Sequence, residues 1–100
     1  MNKFDNGEEE FHVLRQIQKK PRSSQRQLAS DLGFSLGKLN YCVKALKQKG
    51  LIKINKFKKN KNKINYIYIL TPKGINYRIK LTIQFMKKKM KEYDEMKKEI

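Results

Sequence analysis

The sequence has one cysteine, no tryptophan, two prolines and nine acidic residues among 100 positions. The single cysteine, Cys42, excludes an intramolecular disulfide, which is typical of proteins in a reducing compartment. No apolar run is long enough to span a membrane, and residues 1–6 lack the basic and apolar pattern of a signal peptide. These absences predict a cytoplasmic protein, and the length suits one domain with a modest core.

Side chains that perform chemistry are equally scarce. His12 is the only histidine, Cys42 is the only cysteine, and no carboxylates cluster outside the two ends of the chain, so the sequence offers no set of ligands for a metal ion. The chain has no P-loop, no nucleophile elbow and no catalytic carboxylate pair. The sequence therefore predicts no metal, no cofactor and no enzymatic activity. Cys42 is predicted to be a small residue at the edge of the core, and a redox-sensing thiol near Lys38 is the alternative.

Acidic residues are missing from the whole middle of the chain. None occurs between Asp31 and Glu92, while the formal net charge is +16 and the pI is near 10.1. Such a surplus favours a polyanionic partner, either nucleic acid or an acidic membrane surface. AT-rich codons alone would also raise the lysine, asparagine and isoleucine content. The confinement of the acids to the two ends favours a functional positive surface over this compositional explanation.

The first part of the chain predicts three short helices. Residues 1–7 are predicted to be a disordered lead, and the spacing of Phe11, Leu14 and Ile17 predicts a helix from residue 8 to just before Pro21. Ser24 begins a capping-box pattern, which predicts a second, short helix. Three inward positions are predicted on that helix, at Leu28, Ala29 and Leu32.

Two glycines frame the start of the third predicted helix. Gly33 follows the second helix, where a left-handed backbone conformation is common, and Ser35 is a suitable N-cap for a helix to about Lys49. Gly37 then falls inside the new helix, where glycine costs about 1 kcal/mol relative to alanine. Its presence therefore indicates a geometric need.

The third helix is predicted to have one buried and one polar face. The predicted buried stripe is Leu36, Leu39, Val43 and Leu46. At 100° per residue, the opposite direction carries small, aromatic, amide and cationic side chains without an acid. These are Gly37, Lys38, Tyr41, Lys44, Ala45 and Gln48, flanked by Asn40, Cys42, Lys47 and Lys49.

The pattern then changes to that of a hairpin. Residues 51–57 and 64–70 are rich in β-branched and aromatic residues, and the six residues between them, "KKNKNK", are predicted to form a protruding basic tip. Thr71 and Pro72 are a strong helix start, and the helix they open is predicted to run nearly to Ile100. The predicted fold is mainly α with a small β-hairpin, arranged as a winged helix-turn-helix with a long C-terminal helix.

The positions of small and apolar residues across the tight turn resemble the helix-turn-helix signature. They are Leu28, Ala29, Leu32, Gly33, Leu39 and Cys42. More broadly, "SQRQLASDLGFSLGKLNYCVKALKQKGLIKI", followed by "ILTPKG" and a lysine-rich helix, resembles the MarR-type winged-helix regulators, over residues 8–98. Within them it looks most like a short subfamily associated with exopolysaccharide gene clusters. The resemblance implies a bacterial transcriptional regulator that binds a pseudo-palindromic operator in double-stranded DNA as a homodimer; it names no small-molecule effector.

On this interpretation three groups of residues are expected to contact DNA. The first group lies in the third helix and comprises Ser35, Gly37, Lys38, Asn40, Tyr41, Lys44 and Gln48. The second lies at the start of the second helix and comprises Ser24, Gln25 and Arg26. The third lies in the wing and comprises Lys58, Lys59, Lys61 and Lys63. Gly37 is expected to allow close approach to DNA, with relief of a contact to a neighbouring helix as the alternative. A winged-helix module that binds RNA or an acidic protein is the alternative for the whole surface.

The C-terminal helix carries an apolar stripe at spacings of three and four. Its members are Ile75, Ile79, Ile83, Met86, Met90, Tyr93, Met96 and Ile100. The first few are expected to cover the core, and the stretch from Ile79 to Met96 is expected to form a dimer interface. The predicted division is therefore a DNA-binding domain at 8–71 and a dimerisation helix at 72–100. Binding to a membrane surface or to another protein is the alternative.

Overall fold

The computed structural model describes residues 7–60 and 63–100. Its elements follow the predicted order of three helices, a hairpin and a long helix, which confirms the predicted fold class. They are α1 (Glu8–Lys19), α2 (Gln25–Leu32), α3 (Leu36–Gln48), β1 (Ile52–Asn60), β2 (Lys63–Leu70) and α4 (Pro72–Lys97). The predicted disordered lead lies outside the described residues except for Gly7, which is the N-cap of α1.

Side-chain hydroxyls cap three of the helices at the predicted residues. Ser24 Oγ accepts the N–H of Gln27 at 3.0 Å, and Ser35 Oγ accepts the N–H of Lys38 at 3.1 Å. Thr71 caps α4 in the same way. Each cap satisfies one of the N–H groups that a helix leaves without a partner. The capping box at Ser24 is only half formed, because the side chain of Gln27 donates to Asp31 instead of returning to the cap.

The turn between α2 and α3 explains the first of the two glycines. Gly33 has a φ of 71°, in the left-handed region that costs an L side chain conformational energy. The chain reverses at once, and the N–H of Phe34 donates to Ala29 O at 2.9 Å. Ala29 itself is buried. The predicted tight helix-turn-helix connection is confirmed.

The core joins the three helices to the base of the hairpin. Its buried members are Val13, Leu14, Ile17, Leu28, Ala29, Leu39, Cys42, Val43, Leu46, Leu51, Ile52, Tyr68 and Leu70. The prediction that Leu36 belongs to the buried stripe of α3 is wrong, since Leu36 remains 44% exposed. Leu36 lies in the first turn of α3, ahead of the part that packs on the core, and Cys42 takes its place in the stripe.

The hairpin is antiparallel and longer than predicted. Ile52 pairs with Leu70 and Ile54 with Tyr68, which places all four side chains on the face toward the core. Tyr68 is fully buried, and its N–H donates to Pro21 O at 3.0 Å. The strands also extend into the segment predicted as a loop, since β1 reaches Asn60 and β2 begins at Lys63.

The first turn of α4 packs directly on the chain that enters β1. Gly74 is buried, and a Cβ atom at this position would lie 1.9 Å from Leu51 O. The N–H of Thr71 also donates to Leu51 O, at 3.1 Å. Only a residue without a side chain fits so close to a backbone carbonyl. The helix start is therefore fixed against the base of the wing.

After this start, α4 packs on α1 with one face and leaves its apolar stripe exposed. Leu81 is buried, and the ring of Phe85 meets that of Phe11 edge-on at a centroid distance of 5.1 Å. The expectation that the first stripe residues cover the core is wrong, because Ile75 and Ile79 are 37% and 44% exposed. The covering face is made by Gly74, Tyr77, Leu81 and Phe85, about a third of a turn away. Beyond Phe85 every residue of α4 is exposed.

Candidate nucleic-acid interface

The polar face of α3 is open to solvent. Asn40, Lys44 and Gln48 are exposed, and Tyr41 is 75% exposed. The burial of Leu39, Cys42, Val43 and Leu46 on the opposite side fixes this orientation. The exposed side chains combine amide, phenol and ammonium groups that can donate to base edges and to phosphates.

Gly37 lies in the first turn of this face. A Cβ atom built there would have nothing within 4 Å. The alternative that Gly37 relieves a contact with a neighbouring helix is therefore wrong for this chain. Its conformation is helical, so no left-handed backbone requires a glycine either. A side chain at position 37 would therefore project into open space on the polar face of α3.

Two lysines at the flank of α3 are held by glutamates of α1. Lys38 Nζ lies 2.7 Å from Glu9 Oε2 and also sits over the ring of Phe34, at 4.4 Å from the centroid. Lys49 Nζ forms an ion pair with Glu10. Both glutamate side chains are largely buried, at 22% and 17% exposure, so these pairs are screened less than surface pairs. Lys38, which was expected among the DNA contacts, thus points toward α1.

Glu10 also reaches α4. The phenol of Tyr77 donates to Glu10 Oε1 at 2.8 Å, so one carboxylate joins the end of α3 to the first half of α4. We call Glu9, Glu10, Lys38, Lys49 and Tyr77 the glutamate brace. The sequence showed the three glutamates at residues 8–10 only as partners of the helix dipole. Nothing in a local pattern could indicate partners 29 to 67 positions away.

A cavity of about 480 Å³ opens between the start of α1 and the flank of α3. The glutamates of the brace form one wall of this cavity, and α3 forms the other. The residues around it include Gly7, Glu9, Glu10, Tyr41, Ala45 and Lys49. The α3 surface is therefore asymmetric, with carboxylates beside its Lys38 flank and cationic or amide side chains on its outward side.

The brace gives Tyr77 an abnormal titration. Burial, followed by the hydrogen bond to Glu10 and the charge of that carboxylate, raises the pKa of Tyr77 to about 12. The folded state therefore prefers the protonated phenol, relative to an ordinary tyrosine with a pKa near 10. The protonated phenol therefore contributes fully to the free energy of unfolding below about pH 10, and this contribution is lost as the pH rises toward about 12.

We expect Tyr77→Phe to lose less stability at alkaline pH than the parent, because phenylalanine has no phenol to ionise. The urea midpoint of the parent should fall more steeply than that of the variant between about pH 10 and about pH 12, because only the parent must ionise Tyr77 against Glu10. Tyr41→Phe, at an exposed tyrosine, is the matched control and should keep the parent's slope. Equal slopes for the parent and Tyr77→Phe would contradict the role of the hydrogen bond.

Cys42 does not have the surroundings of a reactive thiol. Burial, and next the charge of Glu9, raises the pKa of Cys42, and the opposing effect of Lys38 is smaller. A raised pKa leaves less of the nucleophilic thiolate at neutral pH. These surroundings favour the predicted core role of Cys42 over the redox-sensing alternative.

The start of α2 offers fewer contacts than expected. The hydroxyl of Ser24 is engaged in the cap, and Gln25 is half-buried with its side chain hydrogen-bonded to Tyr68. Arg26 is exposed. In the wing, Lys58 and Lys59 belong to β1 and Lys63 to β2, whereas Lys61 lies outside the described residues.

Residues 7–60 and 63–100 contain no group of three or more histidine, cysteine or carboxylate side chains that could hold a metal ion. Within the same ranges, no helix is both long and apolar enough to cross a membrane.

Residues 10–53 match a family model described as winged helix-turn-helix DNA-binding. This match covers most of α1, all of α2 and α3, and the start of β1, and it therefore includes the whole α3 face described above. The chain has the winged helix-turn-helix fold. No curated protein is significantly similar to it in sequence.

Solved structures with the same winged helix-turn-helix fold include several regulators. The PcaV transcriptional regulator of Streptomyces coelicolor has 18% identity and a TM-score of 0.70, over 80% of this chain and 55% of that one. FabT of Streptococcus pneumoniae has 23% identity and a TM-score of 0.66, over 91% of this chain and 62% of FabT. ZitR of Lactococcus lactis, a zinc-responsive MarR family member, has 22% identity and a TM-score of 0.65, over 93% of this chain and 62% of ZitR.

These likenesses confirm the predicted resemblance to MarR-type regulators at the level of the fold. The winged helix-turn-helix protein spans only 55% of PcaV and 62% of FabT. The association with the short exopolysaccharide subfamily stays a prediction.

Proposed function

We propose that this protein is a transcriptional regulator that binds double-stranded DNA as a homodimer. One observation carries the proposal: the face of α3 with Asn40, Tyr41, Lys44 and Gln48 is exposed, free of acidic residues and mounted on a winged helix-turn-helix. The net charge of +16 supplies the attraction to phosphates. The FabT structure, which shares the fold, is that of a complex with DNA.

In this arrangement α3 enters the major groove. Asn40 and Gln48 can each make paired hydrogen bonds to adenine, and Lys44 can donate to guanine or to a phosphate. Tyr41 can contact a phosphate or a thymine methyl group. Gly37, with empty space in front of it, lets the N-terminal turn of α3 come close to the DNA backbone.

Contacts outside the major groove would fix the position of the domain. Arg26, which is exposed at the start of α2, would contact a phosphate. Lysines of the wing, Lys58, Lys59, Lys61 and Lys63, would follow the neighbouring minor groove or backbone. Phosphate contacts of this kind add affinity for every sequence and make it depend on salt.

The homodimer is supported by the unpartnered stripe of α4. Ile83, Met86 and Met90 are 48%, 57% and 63% exposed in the single chain. Apolar side chains in a continuous row along a projecting helix are unfavourable in water and typical of a helix-helix interface. A two-fold dimer would also present two copies of α3 to two half-sites of a pseudo-palindromic operator.

Competition binding tests the proposed DNA target. The labelled probe is duplex DNA from the region upstream of the protein's own gene, and the competitors are random duplex, single-stranded DNA and RNA. We expect a specific segment of the duplex to bind at least about a thousandfold more tightly than random duplex. Stronger competition by RNA would contradict the proposal and favour an RNA-binding winged helix.

The ion pair between Glu9 and Lys38 in the glutamate brace should lower the affinity for DNA. Glu9→Gln should release Lys38 to a phosphate, so we expect about three- to tenfold tighter binding at about 0.1 M salt. The slope of log affinity against log salt should also become steeper by about 0.9, which corresponds to one additional phosphate.

Glu8→Gln is the matched control for this variant. It changes the net charge by the same amount, but Glu8 pairs only loosely with His12 in the same helix, at 3.9 Å. Its salt slope should equal that of the parent. Identical slopes for Glu9→Gln and Glu8→Gln would show that the Lys38 ion pair does not restrain DNA binding.

A further inference from the structure

The apolar stripe of α4 is spaced symmetrically about the middle of its exposed part. Taken from the two ends inward, its members within α4 pair as Ile79 with Met96, Ile83 with Tyr93, and Met86 with Met90, and Ile100, three residues past the end of α4, corresponds to Ile75. Each pair is centred on position 88 or half a residue before it. A helix with this property matches a second copy of itself that runs in the opposite direction.

We propose that α4 pairs with α4 of a second copy in an antiparallel arrangement, with the two-fold axis near Lys88. This inference rests on the proposed homodimer and adds the direction and register of its helices. In this register each apolar residue of one stripe meets an apolar residue of the other, as knobs-into-holes packing requires. A parallel pair would also oppose apolar residues, each against its own equivalent, so the spacing permits the antiparallel direction and the charges along the helix decide between the two.

The charges along α4 agree with the antiparallel direction. From Pro72 to Lys91 the helix has basic residues and no acid, and its acids are Glu92, Asp94 and Glu95 near the end. The antiparallel register brings Lys80 of one copy to the level of Asp94 of the second copy, which lies on the same flank of the stripe, and the two-fold axis repeats this pair. A parallel pair would place Lys80 beside Lys80 and the acids beside each other.

A groove at the outer face of the hairpin gives the end of the second copy a place to bind. The groove has a volume of about 410 Å³, and its wall includes Pro21, Ile67, Ile69 and Ile75. Ile69 is 41% exposed there. Because Ile75 is the first residue of the stripe, the groove continues the same apolar surface onto β2. In the antiparallel register, Met96 and Ile100 of the second copy reach this groove, whereas a parallel pair leaves it open.

Distances between spin labels distinguish the two directions. Lys91→Cys and Lys98→Cys replace the same exposed residue type at positions seven apart, on the same side of the helix. Both variants carry Cys42→Ala, so that one label is attached per chain. With the axis at 88, the two labels at position 91 are about 9 Å apart along the helix axis and those at 98 about 30 Å.

We therefore expect the measured distance in the dimer to be more than about 10 Å longer for position 98 than for position 91. Equal distances at the two positions would mean a parallel pair, and this would overturn the inference while the homodimer stands. Monomers at micromolar concentration in both the labelled samples and the parent chain would overturn the homodimer together with the inference. The parent chain, sedimented alongside, shows whether the substitutions changed the association.

Discussion

Gly74→Ala is expected to destabilise the protein by about 3 kcal/mol or more. The added methyl carbon would lie 1.9 Å from Leu51 O, a backbone atom that is fixed by the hydrogen bond from the N–H of Thr71. The contact can be relieved only if α4 moves away from the base of the wing. This movement would also strain the Thr71 cap and the packing of Leu81 on α1.

Gly37→Ala is the matched control for this effect. Gly37 is also helical, but a Cβ atom there has nothing within 4 Å, so alanine should stabilise the helix by about 0.5 to 1 kcal/mol. Urea unfolding followed by circular dichroism measures both changes. A Gly74→Ala midpoint equal to that of the parent would show that α4 does not pack on β1 as described.

Ile83→Glu is expected to break the dimer and to lower the affinity for a two-half-site operator by about a hundredfold or more. Ile83 lies within the exposed stripe, and a carboxylate there would lose part of its hydration on dimerisation and would remove the apolar contacts of isoleucine. The loss of operator affinity follows because a monomer binds one half-site only, without the gain from linking the two. Sedimentation velocity and operator titration measure the two effects.

Gln84→Glu controls for the added charge. Gln84 is the exposed neighbour of Ile83 and lies off the stripe, so this variant should remain dimeric and keep most of its operator affinity. On an isolated half-site the two variants should bind equally well, because neither position belongs to the α3 face. A dimer of Ile83→Glu as stable as that of Gln84→Glu would exclude the stripe from the interface.

Features set by neighbouring residues could be predicted from the sequence. Ser35 and Thr71 were predicted as caps because a hydroxyl beside a free helix N–H acts within three residues. Gly33 was predicted as a left-handed turn residue for the same reason. The polar face of α3 followed from the periodicity of its buried residues.

Features that depend on contacts across the chain could not be predicted. The clash that forbids a side chain at Gly74 involves the carbonyl of Leu51, and no local pattern relates these two positions. The glutamate brace likewise joins Glu10 to Tyr77 across 67 positions. The stripe of α4 could be predicted from the sequence. Which face of the helix covers the core could not, because the rotation of α4 about its axis is fixed by the contact between Gly74 and the backbone of Leu51.

The anchored start of α4 has a mechanical consequence. Gly74 packs the start of the helix on the base of the wing, and the hydrogen bond from Tyr77 to Glu10 connects the helix to the end of α3. The winged-helix domain and α4 should therefore move as one rigid body. From Gly74 to position 88 is a lever of about 21 Å. In the proposed dimer, a 10° change in the angle at which two such levers cross turns each by about 5°, which shifts each α3 by about 1.8 Å and the distance between the two by about 3.7 Å, close to the rise of one base pair. If the chain binds DNA as the proposed dimer, a change in that crossing angle would therefore change the half-site spacing that it prefers.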